Sequence, residues 1–216
     1  VGSFLNVCIA RMPLDESIVT PRSRCPQCRK QIAAYDNIPV VSYLILGGRC
    51  RNCKTKISIR YPAVEALTGL LGLWTALLVG FTVEALIYFA FGCAMIVLAL
   101  IDADHRILPD PITLNGIWVG LLLSVLFPQP SFLVSRLLGL AGYAEAGPRI
   151  TSFAGAILGA LIGGGLLWFV GEAYFRLRGV EGMGFGDVKM MAMVGAFWGA
   201  PLALFTIMVG SLLGSF

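Results

Sequence analysis

Two aspartates, Asp102 and Asp187, stand at the ends of apolar runs, where an ionisable side chain is costly and rarely accidental. The first follows Leu98-Ala99-Leu100-Ile101 and begins the cluster Asp102-Ala103-Asp104-His105-Arg106. The second closes Gly182-Met183-Gly184-Phe185-Gly186-Asp187 and precedes Val188 and Lys189. Two carboxylates that share a site cannot both ionise easily, so such a pair holds one proton and titrates as a unit. The ionised member can activate water while the protonated member donates to a peptide carbonyl, with no metal and no covalent intermediate. Gly182, Gly184 and Gly186 remove side chains ahead of Asp187, permit unusual backbone angles and let an extended chain come close. Taken singly, Asp187 reads as a helix N-cap or dipole partner, and Asp104 and Asp110 as solvated or capping groups. His105, the only histidine, reads as an interfacial or hydrogen-bonding residue, and Lys189 as a partner for a carboxylate or a lipid phosphate.

Four of the six cysteines form two CxxC pairs, Cys25/Cys28 and Cys50/Cys53. Two such knuckles can close a tetrahedron of thiolates around zinc. Arg24, Arg29, Arg49, Arg51 and Lys54 flank them and favour thiolate over thiol. Four cysteines leave no open coordination position, so the metal would be structural rather than catalytic. It would supply stability that so short a segment cannot draw from its own core. Cys8 and Cys93 lie alone in apolar surroundings and read as packing residues.

These groups must be positioned by membrane helices. Charged residues make up 13% of the chain, half the usual share in a soluble domain, and apolar residues 57%. Runs at 63–80, 84–101, 112–128, 151–171, 188–199 and 202–216 are candidate spans, with a partial first span at 1–10. The expected fold is therefore an all-α polytopic membrane protein of about six spans plus that partial one. The break at Gly199-Ala200-Pro201 makes the last two pieces either one broken span or a tight helical hairpin. Residues 132–141 suggest an interfacial helix with Arg136 on its polar side. Gly155, Gly159 and Gly163 recur every fourth residue and predict close helix packing. Glu65, after Tyr61-Pro62, suits a helix start, and Glu172 with Arg176 an i,i+4 surface pair. No internal repeat is expected. Both ends stop within apolar runs, so the sequence reads as a piece of a longer protein.

Ten of the sixteen Lys and Arg fall in residues 11–60 beside only three acids, which marks a small basic extramembrane module. The division is then 1–10 as the end of a first span, 11–60 as a zinc-ribbon-like module with four cysteine ligands, and 61–216 as the transmembrane catalytic domain. Alternating the spans puts fourteen basic residues on one side and Arg136 and Arg149 on the other. The richer side, with the module and both aspartates, should be cytoplasmic. The basic module could sit against anionic lipid. Its membrane tether argues against a nucleic-acid partner, and a homo-oligomer is left open.

In this order the motifs resemble the type IV prepilin peptidases, also called prepilin leader peptidase/N-methyltransferases. The resemblance rests on Gly2-Ser3-Phe4-Leu5-Asn6-Val7, both knuckles, Asn37-Ile38-Pro39-Val40-Val41-Ser42-Tyr43 and Arg60-Tyr61-Pro62-Ala63-Val64-Glu65. It rests most on Ile101-Asp102-Ala103-Asp104-His105 with Leu108-Pro109-Asp110, and on Gly182 through Asp187. It implies a GxGD-type membrane aspartic protease of the bacterial inner membrane, with Asp102 and Asp187 catalytic and Gly184, Gly186 and Lys189 in the supporting loop. It implies cleavage of pilin or pseudopilin leaders after a glycine, for type IV pili or type II secretion. It also implies methylation of the new N-terminus with S-adenosylmethionine. No methyl-donor fingerprint is visible in the residues, so that site is unassigned. Members normally have eight spans.

Two other classes fit the residues alone. An ion or metal transporter would use Asp102 and Asp187 as carriers, but predicts acids towards mid-membrane rather than at one side. A non-catalytic zinc-containing scaffold predicts that Asp102→Asn and Asp187→Asn leave function intact.

Overall fold

The computed structural model describes residues 1–25, 27–129, 131–140, 147–180 and 182–214. It is helical, with no strand among the described residues. The helices are α1 (Gly2–Arg11), α2 (Val41–Ile45), α3 (Arg60–Val79), α4 (Val83–His105), α5 (Asp110–Leu126), α6 (Phe132–Leu140), α7 (Pro148–Arg178) and α8 (Phe185–Gly214). Two compact units result, Val1–Ile107 and Leu108–Phe216. By length and composition α3, α4 and α7 can cross a membrane, α8 is as long and apolar but is interrupted at Gly199, and α5 is a shorter apolar helix. The expected interfacial helix is α6, and residue 141 lies outside the described residues.

Local signals account for the boundaries. Gly80 ends α3 at φ 77°, and the Thr82 side chain caps α4 by accepting from the Ala85 amide at 3.2 Å. Arg106 takes a left-handed turn, its N–H closing on the Asp102 carbonyl at 2.8 Å, and Pro109 then starts a new helix. In the first unit α1 lies against α3, and a side chain on Gly2 would come within 2.7 Å of the Glu65 backbone.

In the second unit the glycines of α7 let α8 approach to backbone contact. A methyl group on Gly159 would sit 2.1 Å from the Gly195 carbonyl oxygen. One on Gly163 would meet both the Met191 carbonyl oxygen, at 2.4 Å, and the Ala203 Cβ, at 3.3 Å. Met191 and Ala203 would be about 18 Å apart along a straight helix, from a rise of about 1.5 Å per residue. The chain therefore reverses between them, at Gly199 (φ 77°, ψ 174°) and Pro201. Of the two alternatives for this region, the tight hairpin is the one found. Its first arm, residues 185–198, is only about 21 Å long, against about 30 Å of bilayer hydrocarbon.

Candidate active site and metal centre

The Sγ atoms of Cys25, Cys28, Cys50 and Cys53 all lie within 4.8 Å of one another. Each pair sits in the same short loop. The Arg29 amide donates to the Cys25 carbonyl and the Cys25 amide to the Lys30 carbonyl, at 2.9 and 3.0 Å. In the second loop the Lys54 amide donates to Cys50 and the Cys50 amide to Thr55, at 3.0 and 2.9 Å. Arg29 and Lys54 both take a left-handed conformation, and the bridges Arg24↔Gln31 and Arg49↔Lys56 close the two loops alike. Arg24-Cys25 through Ile32 and Arg49-Cys50 through Ile57 thus form an internal repeat, contrary to the expectation of none. Its signal was legible in the sequence: Arg-Cys-x2-Cys, a basic residue, two more positions and Ile. Beyond these single bridges the module has no ribbon strands among its described residues.

The donor set suits a metal. Tetrahedral zinc with Zn–S of about 2.3 Å requires sulfur–sulfur edges of about 3.8 Å, and Cys25 and Cys53 are 3.7 Å apart. The Thr55 hydroxyl and amide beside Cys53 pull that thiol down to about 6. Cys28 is pushed up to about 11: the Lys30 amide pulls it down, but lost hydration and the Cys25, Cys53 and Cys50 sulfurs outweigh that. Crowded sulfurs resist sharing negative charge, and a bound cation is what would let all four ionise. The cluster could hold a metal ion.

Two contacts were not foreseen: one fastens the module to the helices, and the other ties the module to itself. Glu65 accepts from the Ser3 hydroxyl at 2.5 Å and from the Val40 amide at 2.8 Å, joining α1, α3 and the segment before α2. Glu65 lies near the start of α3, as expected, and both its oxygens are also engaged in this clip. Arg51 clasps Asp36 through Nε at 2.8 Å and a second guanidinium nitrogen at 2.6 Å, and holds its carboxyl below the usual range.

Asp102 lies in the last turn of α4 with its side chain exposed, directly after the fully buried Ile101. Asp104 is exposed, as expected, but lies within α4 rather than in a loop and pairs with Arg60 at 2.5 Å. Arg60 also donates to the Leu100 carbonyl at 3.1 Å, so a cation from the start of α3 meets the C-terminal end of α4. Asp187 is half-buried in the first turn of α8, with its amide donating to the Gly184 carbonyl at 3.1 Å. Lys189, one of the supporting residues expected, pairs with Asp110 and lies over the Phe185 ring at 5.3 Å. Asp110 is therefore an ion-pair partner as well as the first residue of α5.

Gly184 and Gly186 are not among the positive-φ residues, so the conformational freedom they allow is not used there. Space is what they provide. A side chain at Gly186 would meet Leu108 at 3.0 Å, and one at Gly182 would strike the Tyr174 ring at 2.4 Å. At Gly184 the nearest group is the Asp187 carboxylate, 3.7 Å from where a Cβ would stand. Asp102 belongs to the first unit and Asp187 to the second.

Residues 1–79 match the Bacterial Peptidase A24 N-terminal domain, and residues 89–216 match the Type IV leader peptidase family. A prepilin leader peptidase/N-methyltransferase of Pseudomonas putida is 35% identical over the whole chain, which covers 75% of that protein. Proteins of the same name from Myxococcus xanthus and Neisseria gonorrhoeae are 42% and 39% identical over 99% of the chain, covering 59% and 76% of their lengths. The chain belongs to the type IV leader peptidase family.

It is therefore a peptidase. No solved structure matches it. All four clustered cysteines fall in the N-terminal match, and both Asp102 and Asp187 fall in the peptidase match. The first match ends with α3 and the second begins within α4, whereas the compact units divide after α4.

Proposed function

We propose that this chain is a membrane-embedded aspartic endopeptidase that removes the leader of type IV prepilin or pseudopilin precursors at the cytoplasmic face, cutting after a glycine. The observation that carries the proposal is that the peptidase match contains both Asp102 and Asp187, each in a terminal turn of an apolar helix. The relatives' printed name supplies the substrate class. In this reading Asp102 and Asp187 act as a pair, one ionised to activate water and the other protonated to donate to the scissile carbonyl. Proteolysis then needs no metal.

The residues around each aspartate suit that task. Gly184 leaves the flank of the Asp187 carboxylate without a side chain, where an extended peptide could lie. The Lys189–Asp110 pair and the Gly186–Leu108 contact tie the start of α8 to the segment that follows Asp102 in the chain. Cys25, Cys28, Cys50 and Cys53 would hold a structural zinc that shapes the module and takes no part in cleavage. The apolar helices would cross the inner membrane, with the basic module on the cytoplasmic side. The relatives' name also includes N-methyltransferase activity, and we extend it to this chain with S-adenosylmethionine as methyl donor, assigning no residue to it.

The test is cleavage of a prepilin by reconstituted wild type, Asp102→Asn and Asp187→Asn. Each substitution should lower the rate by about 10²–10⁴-fold, the typical worth of a positioned acid or base, with folding and metal content unchanged. Undiminished cleavage by either variant would remove that residue from the mechanism.

A further inference from the structure

Ile38 and three side chains of α2 form an exposed apolar surface on the cysteine module. Ile38 is 51% exposed, Val41 48%, Leu44 70% and Ile45 76%. Val41, Leu44 and Ile45 share one helical face by their i, i+3, i+4 spacing. Ser42 is buried instead, its hydroxyl donating to the Tyr35 carbonyl at 3.0 Å.

The height of this surface is set by bonds to α3 and to the segment just before it. Before α2, the Val40 amide donates to Glu65, and Val40 holds φ 61°, a costly conformation for a β-branched residue. After α2, the Ile57 amide donates to the Gly48 carbonyl at 2.8 Å, and from within α2 the Tyr43 hydroxyl donates to the Ile57 carbonyl at 3.4 Å. These fastenings, at positions 57 and 65, straddle Arg60, where α3 begins. Arg60 in turn pairs with Asp104 in the last turn of α4. α2 is therefore level with the ends of two long apolar helices. Charge is arranged to match: Arg49, Lys54 and Lys56 follow α2 and are exposed.

We propose that residues 38–45 are an interfacial anchor, with Leu44 and Ile45 entering the headgroup–acyl boundary and Arg49, Lys54 and Lys56 meeting anionic lipid phosphates. The anchor rests on α3 and α4 being membrane spans, as proposed above. It fixes the two knuckles at the membrane surface beside the end of α4 that carries Asp102.

The test uses the full chain in vesicles of phosphatidylethanolamine and phosphatidylglycerol, with photoreactive benzoylphenylalanine placed at position 44, 45, 52 or 77. Position 52 lies on the second knuckle, outside the apolar residues 38–45 and between Arg49 and Lys54, and position 77 reports on the α3 span. Lipid adducts, read by intact mass, should form at 44, 45 and 77 and in much lower yield at 52, which would reach only the headgroups. Replacing phosphatidylglycerol by phosphatidylcholine should lower the yield at 44 several-fold and leave 77 unchanged. Adducts at 77 without any at 44 and 45 would overturn the anchor while leaving the span reading intact. Adducts at 44 to an added prepilin in place of lipid would overturn it in favour of a protein-docking face. Failure at 77 as well would overturn the span reading and the anchor with it.

Discussion

Gly159 and Gly165 lie on the same helix, α7, and alanine at each should change stability in opposite directions. At Gly159 the new methyl group would stand 2.1 Å from the Gly195 carbonyl oxygen and 2.7 Å from the Gly199 Cα. Both are backbone atoms, so no side-chain rotation relieves the clash, and α7 and the α8 hairpin must separate by about 1 Å. Overpacking of this kind costs about 1–3 kcal/mol, and the lost packing is what holds small-residue membrane interfaces together. At Gly165 nothing lies within 4 Å of the added methyl group. There alanine only removes backbone freedom from the unfolded chain and should stabilise by about 0.5–1 kcal/mol. Thermal unfolding of the purified variants in one detergent, followed by far-ultraviolet circular dichroism, reads both effects on the same scale. Gly159→Ala should unfold at lower temperature than wild type and Gly165→Ala at the same or higher temperature. Equal shifts, or a Gly159→Ala protein as stable as wild type, would refute the backbone contact between α7 and the α8 hairpin.

Zinc binding to the metal-free protein near neutral pH should release protons, because Cys28 is pushed up to about 11 and must ionise to bind. Calorimetry in buffers of different ionisation enthalpy measures the release, and buffer-independent heats would contradict it. Asp36 has its carboxyl lowered by Arg51, so its stabilisation is present above the ordinary carboxylate value of about 3.9 and is lost as pH falls through the lower folded value. Asp36→Asn should therefore cost stability at pH 6 and little once the wild-type carboxyl is protonated; a cost that persists in acid would point to packing instead. Lys189→Met should change stability by less than about 1 kcal/mol, since its partner Asp110 is exposed. It should lower kcat for prepilin cleavage more than it raises KM, with Lys189→Arg restoring much of the rate. A KM effect alone would assign Lys189 to substrate binding rather than to the placement of α8.

Sequence alone determined what depends on local composition and short spacing. Apolar run length located α3, α4, α5 and α7 to within a few residues, apart from the longer C-terminal end of α7, because helix length is set by the chain's own periodicity and caps. The paired CxxC spacing marked the four cysteines that the fold brings together, and the four-residue glycine stripe marked the packed face of α7. The knuckle repeat was equally local, but spans too few residues to stand out among basic and cysteine positions. Tertiary structure alone decided partners far apart in the chain. Arg60 chose Asp104, Lys189 chose Asp110, and Glu65 gathered Ser3 and Val40, because an ion pair or hydrogen bond depends on separation in space and not along the sequence. The same reason settled the last helix: Gly199 and Pro201 permit either a kink or a reversal, and contact of Gly163 with both Met191 and Ala203 selects the reversal.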